Sequence, residues 1–246
     1  YSVKTLYFSP TGTTAAICRA VADGDGYDFT LPDSRAASLS YGHEDVVAVG
    51  VPVYSGRIPP VAAEFLKTVK GGGAKAVAIA VYGNRDYDDA LLELCDILEE
   101  GGFDVIGAGA FVGEHSLNET VAAGRPDEAD LAAAKAFGAA VLDKLSQGKG
   151  GRPAIKGNHP YKALGPGAVY APQPNEKCVK CGICEKVCSM GIIYNLVADS
   201  EKCIHCFACV KRCPHGARAA AAEAYDKTRG WLAEKCAARR EAEWFV

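Results

Sequence analysis

Val3-Lys-Thr-Leu-Tyr-Phe8 runs directly into Ser9-Pro10-Thr11-Gly12-Thr13-Thr14 and then into the stretch from Ala15 to Ala22. The first six residues alternate as a strand does, and the segment after Thr14 reads as a helix. The chain therefore begins strand, turn, helix, with hydroxyls crowded into the turn. Such a turn can set the Ser9, Thr11 and Thr14 hydroxyls and backbone N–H groups around a phosphate at a helix N-terminus. Pro10, Gly12 and Thr13 complete it. A plain helix cap would use the same residue types. No Lys or Arg lies in the turn, and the G-x4-G-K-S/T pattern is absent, which argues against a P-loop.

Downstream the alternation of strand and helix continues. Tyr27 to Thr30 is a short strand, and Val46 to Val51 reads as a buried parallel strand. It enters the loop Pro52-Val53-Tyr54-Ser55-Gly56-Arg57, after which Pro60 to Lys70 suits a helix with proline at its start. Lys75 to Tyr82 is the next buried strand, followed by Gly83-Asn84-Arg85-Asp86-Tyr87-Asp88 and an amphipathic helix to about Glu100. Phe103 to Val112 is a fifth strand, ending in Gly113-Glu-His-Ser116, and Asp127 to Ser146 closes the region as an alanine-rich helix. Strands alternating with helices predict an α/β doubly wound parallel sheet. Ligands bind beyond the carboxyl ends of such strands. His115 sits there and is a candidate for a proton or ligand role, although a lone loop histidine is more often a hydrogen-bonded surface residue.

Two dense cysteine runs dominate the later sequence. Cys178, Cys181, Cys184 and Cys188 form one, and Cys203, Cys206, Cys209 and Cys213 the other, each spaced C-x2-C-x2-C-x3-C. That spacing wraps a short loop around a 4Fe–4S cubane, with the fourth cysteine ligating the other cluster. The expected ligand sets are Cys178, Cys181, Cys184 and Cys213 for one cluster, and Cys203, Cys206, Cys209 and Cys188 for the other. Structural zinc would use well-separated pairs, and a disulfide framework belongs to small secreted domains. Cys18, Cys95 and Cys236 lie outside the runs and read as buried thiols.

These motifs resemble two known families. Ser9-Pro-Thr-Gly-Thr-Thr14 matches the flavodoxin phosphate loop, and the resemblance to flavodoxins spans residues 1 to about 148. Both cysteine runs resemble two-cluster bacterial ferredoxins over about 45 residues. The first run ends Cys188-Ser189 where that family has proline, as in Cys213-Pro214. Together with Pro52 to Pro59 and Tyr82 to Ala90, they resemble the flavodoxin–ferredoxin fusion family. The resemblance implies a flavodoxin-like sheet ordered 2-1-3-4-5, a small α+β two-cluster ferredoxin domain, FMN and two 4Fe–4S clusters. It implies that Pro52 to Arg57 lie beside the flavin ring, with Tyr54 stacking on it and Gly56 allowing a peptide flip. Arg57 would then be a cation near the ring that raises its potential. Gly83 and Asn84 would bring N–H groups to the ring's carbonyl edge. Tyr82 or Tyr87 would cover a face, and Arg85 would bind there or serve in a salt bridge.

The expected domains are 1–148 flavodoxin-like, 149–172 a Gly/Pro-rich linker or strap, 173–218 ferredoxin-like and 219–246 a C-terminal helix. Scattered aromatics such as Tyr161 favour a strap. Ala217 to about Arg240 reads as helix, with Trp231, Trp244 and Phe245 packing it on another domain or a second chain; a homodimer is left open. Residues 1–148 carry 11 Lys and Arg against 21 Asp and Glu, whereas 149–172 carry four basic residues and no acidic one. Opposite charges of this kind favour docking of one segment on the other. There is no basic patch interleaved with aromatics, which argues against nucleic acid, and no apolar run of about 18 residues, hence no predicted membrane span. The opening residues read as a strand rather than a signal peptide, and iron-binding thiolates suit a reducing cytoplasm. The expected function is electron transfer between one-electron carriers and flavin chemistry, with a redox protein or a small molecule as partner. The alternative is an FMN-dependent reductase of a small substrate. An oxygen-sensing module is a third class, but the sequence shows no output surface for it.

Overall fold

The computed structural model describes residues 2–246. The core sheet contains β1 (Val3–Tyr7), β2 (Gly26–Asp28), β3 (Val46–Pro52), β4 (Lys75–Tyr82) and β5 (Asp104–Val112), parallel and in the order 2-1-3-4-5. Every residue of β3 is buried, as a central strand covered on both faces requires. Its side chains alternate between two cores. Val47, Val49 and Val51 pack with Phe8, Phe65, Leu91 and Leu94 under α2 (Pro60–Leu66) and α3 (Ala90–Glu100). Val46 and Ala48 pack with Ile17, Val21, Phe137 and Val141 under α1 (Thr13–Val21) and α4 (Glu128–Ser146). Gly50 interrupts the strand because α1 comes so close that a Cβ there would lie 2.2 Å from the Cys18 sulfur.

The Gly/Pro-rich segment is a strap along α3. Arg152 pairs with Asp96 at 2.7 Å and Glu99 at 2.6 Å, and His159 Nε2 lies 2.8 Å from Asp96. Asn158 and Lys162 donate their backbone N–H groups to the Asp89 carboxylate at 2.8 and 2.6 Å. The basic segment thus lies on the acidic helix, the docking that the charge pattern anticipates.

The cysteine-rich part is a small α+β unit. In it β6 (Gln173–Pro174) pairs antiparallel with β9 (Arg218–Ala219), and β7 (Ile193–Tyr194) with β8 (Val197–Ala198). The short helices α5 (Ile183–Lys186) and α6 (Ala208–Lys211) carry the third cysteine of each run.

The C-terminal segment departs from the expected single helix. Helix α7 (Glu223–Lys235) stops short, and β10 (Glu243–Phe245) returns to pair antiparallel with β5 as a sixth strand. The alternation of Glu243, Trp244 and Phe245 explains the strand. Trp244 reaches Phe137 on one face, ring centroids 5.8 Å apart, and Phe245 joins the core on the other. Trp231 remains 48% exposed rather than packing inward.

Candidate functional site

The turn after β1 gathers the hydroxyls that the sequence placed there. Ser9 donates its N–H to Thr30 Oγ1 at 2.7 Å, and its Oγ accepts from Ala15 N at 2.9 Å, holding the loop against the start of α1. Gly12, the N-cap, has φ 90°, a conformation that costs glycine little. Thr14 is 1% exposed and its hydroxyl has no partner among the described residues. A buried unsatisfied hydroxyl at a helix N-terminus is what a bound phosphate oxygen would satisfy.

Beside this turn the carboxyl ends of β1, β3, β4 and β5 form a slot. Thr11, Thr13, Pro52, Val53, Tyr54, Val81, Tyr82, Gly83 and the 113–116 loop line it. The slot opens, past Thr11, Glu114, His115 and Ser116, into a cleft of about 420 Å³ between the two domains. That volume is in the usual range of about 300–1,000 Å³ for a small-molecule site, whereas the slot alone holds about 40 Å³, so a ring compound would occupy the cleft as well as the slot. Phe207, Lys211, Tyr225 and Arg229 form the far wall. Sequence reasoning missed this wall because only tertiary folding brings it there.

Several residues expected at a flavin ring are engaged elsewhere. Arg57 forms a bidentate pair with Glu93, both contacts 2.7 Å, donates to Lys162 O at 2.8 Å and lies over the Tyr161 ring. Glu93 is 7% exposed, and a buried carboxylate demands such a partner. Its charge is therefore matched, and it does not act as a free cation at the slot. Gly56 turns its carbonyl to Asp89 N at 3.1 Å, and a Cβ on it would collide with Asp88. The expected peptide flip is thus tied down, and Ser55 is exposed in the same turn. Asn84 donates to Cys236 O at 2.7 Å and Ala238 O at 2.8 Å and accepts from Arg240 N at 3.0 Å, anchoring the C-terminal segment. Arg85 pairs with Asp88, the salt-bridge role. Tyr87 is fully buried and donates to Glu243 at 3.0 Å, so it covers no ligand face.

His115 does line slot and cleft. Its ring lies over Gly83, where a Cβ would come within 2.5 Å of Cδ2. Leu117 N donates to Nδ1 at 3.1 Å, which leaves the proton of the neutral ring on Nε2. Burial, with Arg85 nearby, lowers its pKa to about 4. The ring is therefore a neutral hydrogen-bond donor at physiological pH.

The cysteines gather into two groups. One cavity is lined by Cys178, Cys181, Cys184 and Cys213, the other by Cys188, Cys203, Cys206 and Cys209. In each cavity the fourth cysteine of one run lies with the first three of the other. The two runs repeat one backbone: Lys180 and His205 have φ of 60° and 55°, Gly182 and Phe207 of 74° and 57°. Such conformations cost non-glycine residues energy and recur at ligand sites. Among the described residues the cysteines are all free thiols. Among the described residues no His, Cys, Asp or Glu group converges on a single-ion site. A cubane asks for something different, since each thiolate binds its own iron. Burial pushes Cys203 up to about 11 and Cys209 up to about 12. Bound iron would supply the charge that holds them as thiolates. The buried Arg218 donates to Cys184 Sγ at 3.4 Å, and Ala217 N to Cys213 Sγ at 3.3 Å.

The Cys188 group faces the larger domain. Arg35 donates to Ser189 O at 2.7 Å, and Ile204 packs on the core of that domain. Serine in place of proline at 189 also sets its hydroxyl 3.5 Å from Cys206 Sγ. Half-buried Tyr54 lines the slot. Burial and the neighbouring Cys206 and Cys203 raise its phenol well above the ordinary value. The Cys178 group lies on the outside, with Cys181 exposed.

The profile of a 4Fe-4S binding domain family matches residues 196–219. Among solved structures, similar chains include an archaeal flavodoxin, 17% identical, covering 58% of this chain and 98% of its own, with a TM-score of 0.40. A WrbA-like flavodoxin from Agrobacterium tumefaciens is 18% identical, with coverages of 60% and 98% and a TM-score of 0.38. The rubredoxin oxygen:oxidoreductase of Desulfovibrio gigas is 19% identical, with coverages of 58% and 37% and a TM-score of 0.39. A search of curated proteins found no match. The strand order and the loops at the strand ends define a flavodoxin-like α/β domain. The chain joins it to a 4Fe–4S binding domain, as flavodoxin–ferredoxin fusions do. Among the described residues no helix is long and apolar enough to cross a membrane.

Proposed function

We propose that the chain is an electron-transfer protein holding FMN in the slot and a 4Fe–4S cluster at each cysteine group. When bound, the clusters exchange single electrons, and the flavin exchanges one or two together with protons. The observation that carries this reading is adjacency: Phe207 lines both the cleft beside the slot and the cavity of Cys188, Cys203, Cys206 and Cys209. The Ser9–Thr14 turn would hold the phosphate, with the Thr14 hydroxyl as one donor. Pro52, Val53, Tyr54, Tyr82 and Gly83 would contact the ring, and His115 would offer its Nε2 proton at the cleft side. The outer group, with its exposed Cys181, gives a redox protein partner access from solvent. Thiols in this number suit a reducing cytoplasm.

Anaerobic reconstitution with FMN, iron and sulfide tests the composition. The expected content per chain is one flavin and about eight iron atoms. About four iron atoms with full flavin would contradict the second cluster. Iron without flavin would contradict the flavin site.

The cleft favours a second reading, reduction of a small substrate beside the flavin. Its volume and the His115 donor in its wall fit that role. This reading requires a ligand-sized cavity to persist next to His115 in the flavin-loaded protein. Closure of the cleft around the ring would favour electron transfer alone.

A further inference from the structure

The phosphate turn contains no cation of its own, yet one stands over it. A Cβ built on Gly12 would lie 3.7 Å from the Nη2 atom of Arg212, the nearest atom in that direction. Arg212 belongs to the cysteine-rich domain, one residue beyond α6 and one before Cys213. Its neighbour Lys211 is engaged by Glu114 at 2.9 Å. The Arg212 guanidinium has no ion pair of this kind among the described residues and is exposed. Gly12 caps the nine-residue α1, whose second residue, Thr14, carries a buried hydroxyl with no partner among the described residues. Two independent features, a guanidinium without an ion pair near Gly12 and an orphaned buried hydroxyl two residues on, thus mark the same turn. A phosphate monoester matches both: the hydroxyl and the N–H groups bind its oxygens, and the guanidinium neutralises its charge.

We propose that Arg212 completes the phosphate site across the domain boundary, so that a phosphorylated flavin is held by both domains at once. This rests on the flavin reading above and adds to it the residue that selects the phosphorylated form. Phosphate binding then also ties the cysteine-rich domain to the flavodoxin-like domain. A dephosphorylated flavin lacks the group that makes this tie.

The test compares FMN with riboflavin on the full iron-loaded chain, following quenching of flavin fluorescence. Wild type is expected to bind FMN more tightly. Arg212→Ala should weaken FMN binding roughly tenfold to a hundredfold, leave riboflavin binding unchanged, and flatten the salt dependence of FMN binding. Arg212→Lys should fall between. Lys202→Ala, which removes another cation of the same domain, should change neither flavin. Iron content is measured on each variant, and Arg212→Gln serves as a second neutral variant. Unchanged FMN affinity in an iron-replete neutral variant would overturn the proposal, as would equal weakening of both flavins. Wild type that binds neither flavin would instead overturn the flavin reading itself.

Discussion

Cys188→Ala is expected to remove the cluster of the other cysteine run and spare that of its own. The cavity containing Cys188 is otherwise lined by Cys203, Cys206 and Cys209, while Cys213 lines the cavity of the first run. Iron should fall from about eight to about four atoms per chain. A single substitution does not say which cluster was lost, but pairs of substitutions do. Cys188→Ala with Cys203→Ala strikes one cavity twice and should retain about four iron atoms. Cys188→Ala with Cys178→Ala strikes both cavities and should retain almost none. If each run instead held its own cluster, the two double variants would exchange these results. Because the Cys188 cavity abuts the flavodoxin-like domain, the first pair should also disturb the flavin environment, visible in its absorbance.

Arg125→Ala should be the most damaging substitution remote from the cofactor sites. Arg125 and Asp130 are 6% and 2% exposed and form a bidentate pair, with Nε 2.8 Å from Oδ2. Asp130 also closes the capping box of α4, and Arg125 Nη1 donates to Arg240 O at 2.7 Å. Removal of the guanidinium leaves the buried carboxylate with only the Asp127 N–H and the more distant Arg239, 3.7 Å away, a loss of about 3–5 kcal/mol. It also frees the backbone leading into β10. Denaturant unfolding of the full chain, followed by near-ultraviolet circular dichroism, measures the loss. Replacing both partners with apolar residues, Arg125→Met with Asp130→Leu, should recover much of it. A loss below about 1 kcal/mol in the single variant would mean the pair is solvated.

The parts legible in the sequence were those whose chemistry is local. The strand, turn and helix of Val3 to Ala22 carry their own periodicity and capping residues, and the sheet order 2-1-3-4-5 is the one that the flavodoxin resemblance implies. The crossing of Cys188 and Cys213 is what the resemblance of both runs to two-cluster ferredoxins implies. What failed was the assignment of side chains by loop position. Arg57 finds Glu93, 36 residues away; Asn84 finds Cys236, 152 away; Tyr87 finds Glu243, 156 away. Each partner supplies a charge or carbonyl that competes with any ligand for the same side chain. No local pattern announces that competition. Strand β10 was missed because three residues are too few to show a period, and its register depends on the exposed edge of β5. Arg212 was invisible at the phosphate turn for the same reason as the cleft wall: the turn and the cysteine run meet only after folding.

The central claim is that the slot and the cysteine groups serve one electron path within a single chain. Anaerobic stopped-flow absorbance on the fully loaded protein tests it most directly, with a reduced ferredoxin added as electron donor and the cluster and flavin bands followed separately. The account predicts that the cluster bands bleach first and that the flavin band follows at a rate independent of protein concentration. A flavin that stays oxidised, or whose reduction rate rises with protein concentration, would contradict an internal path.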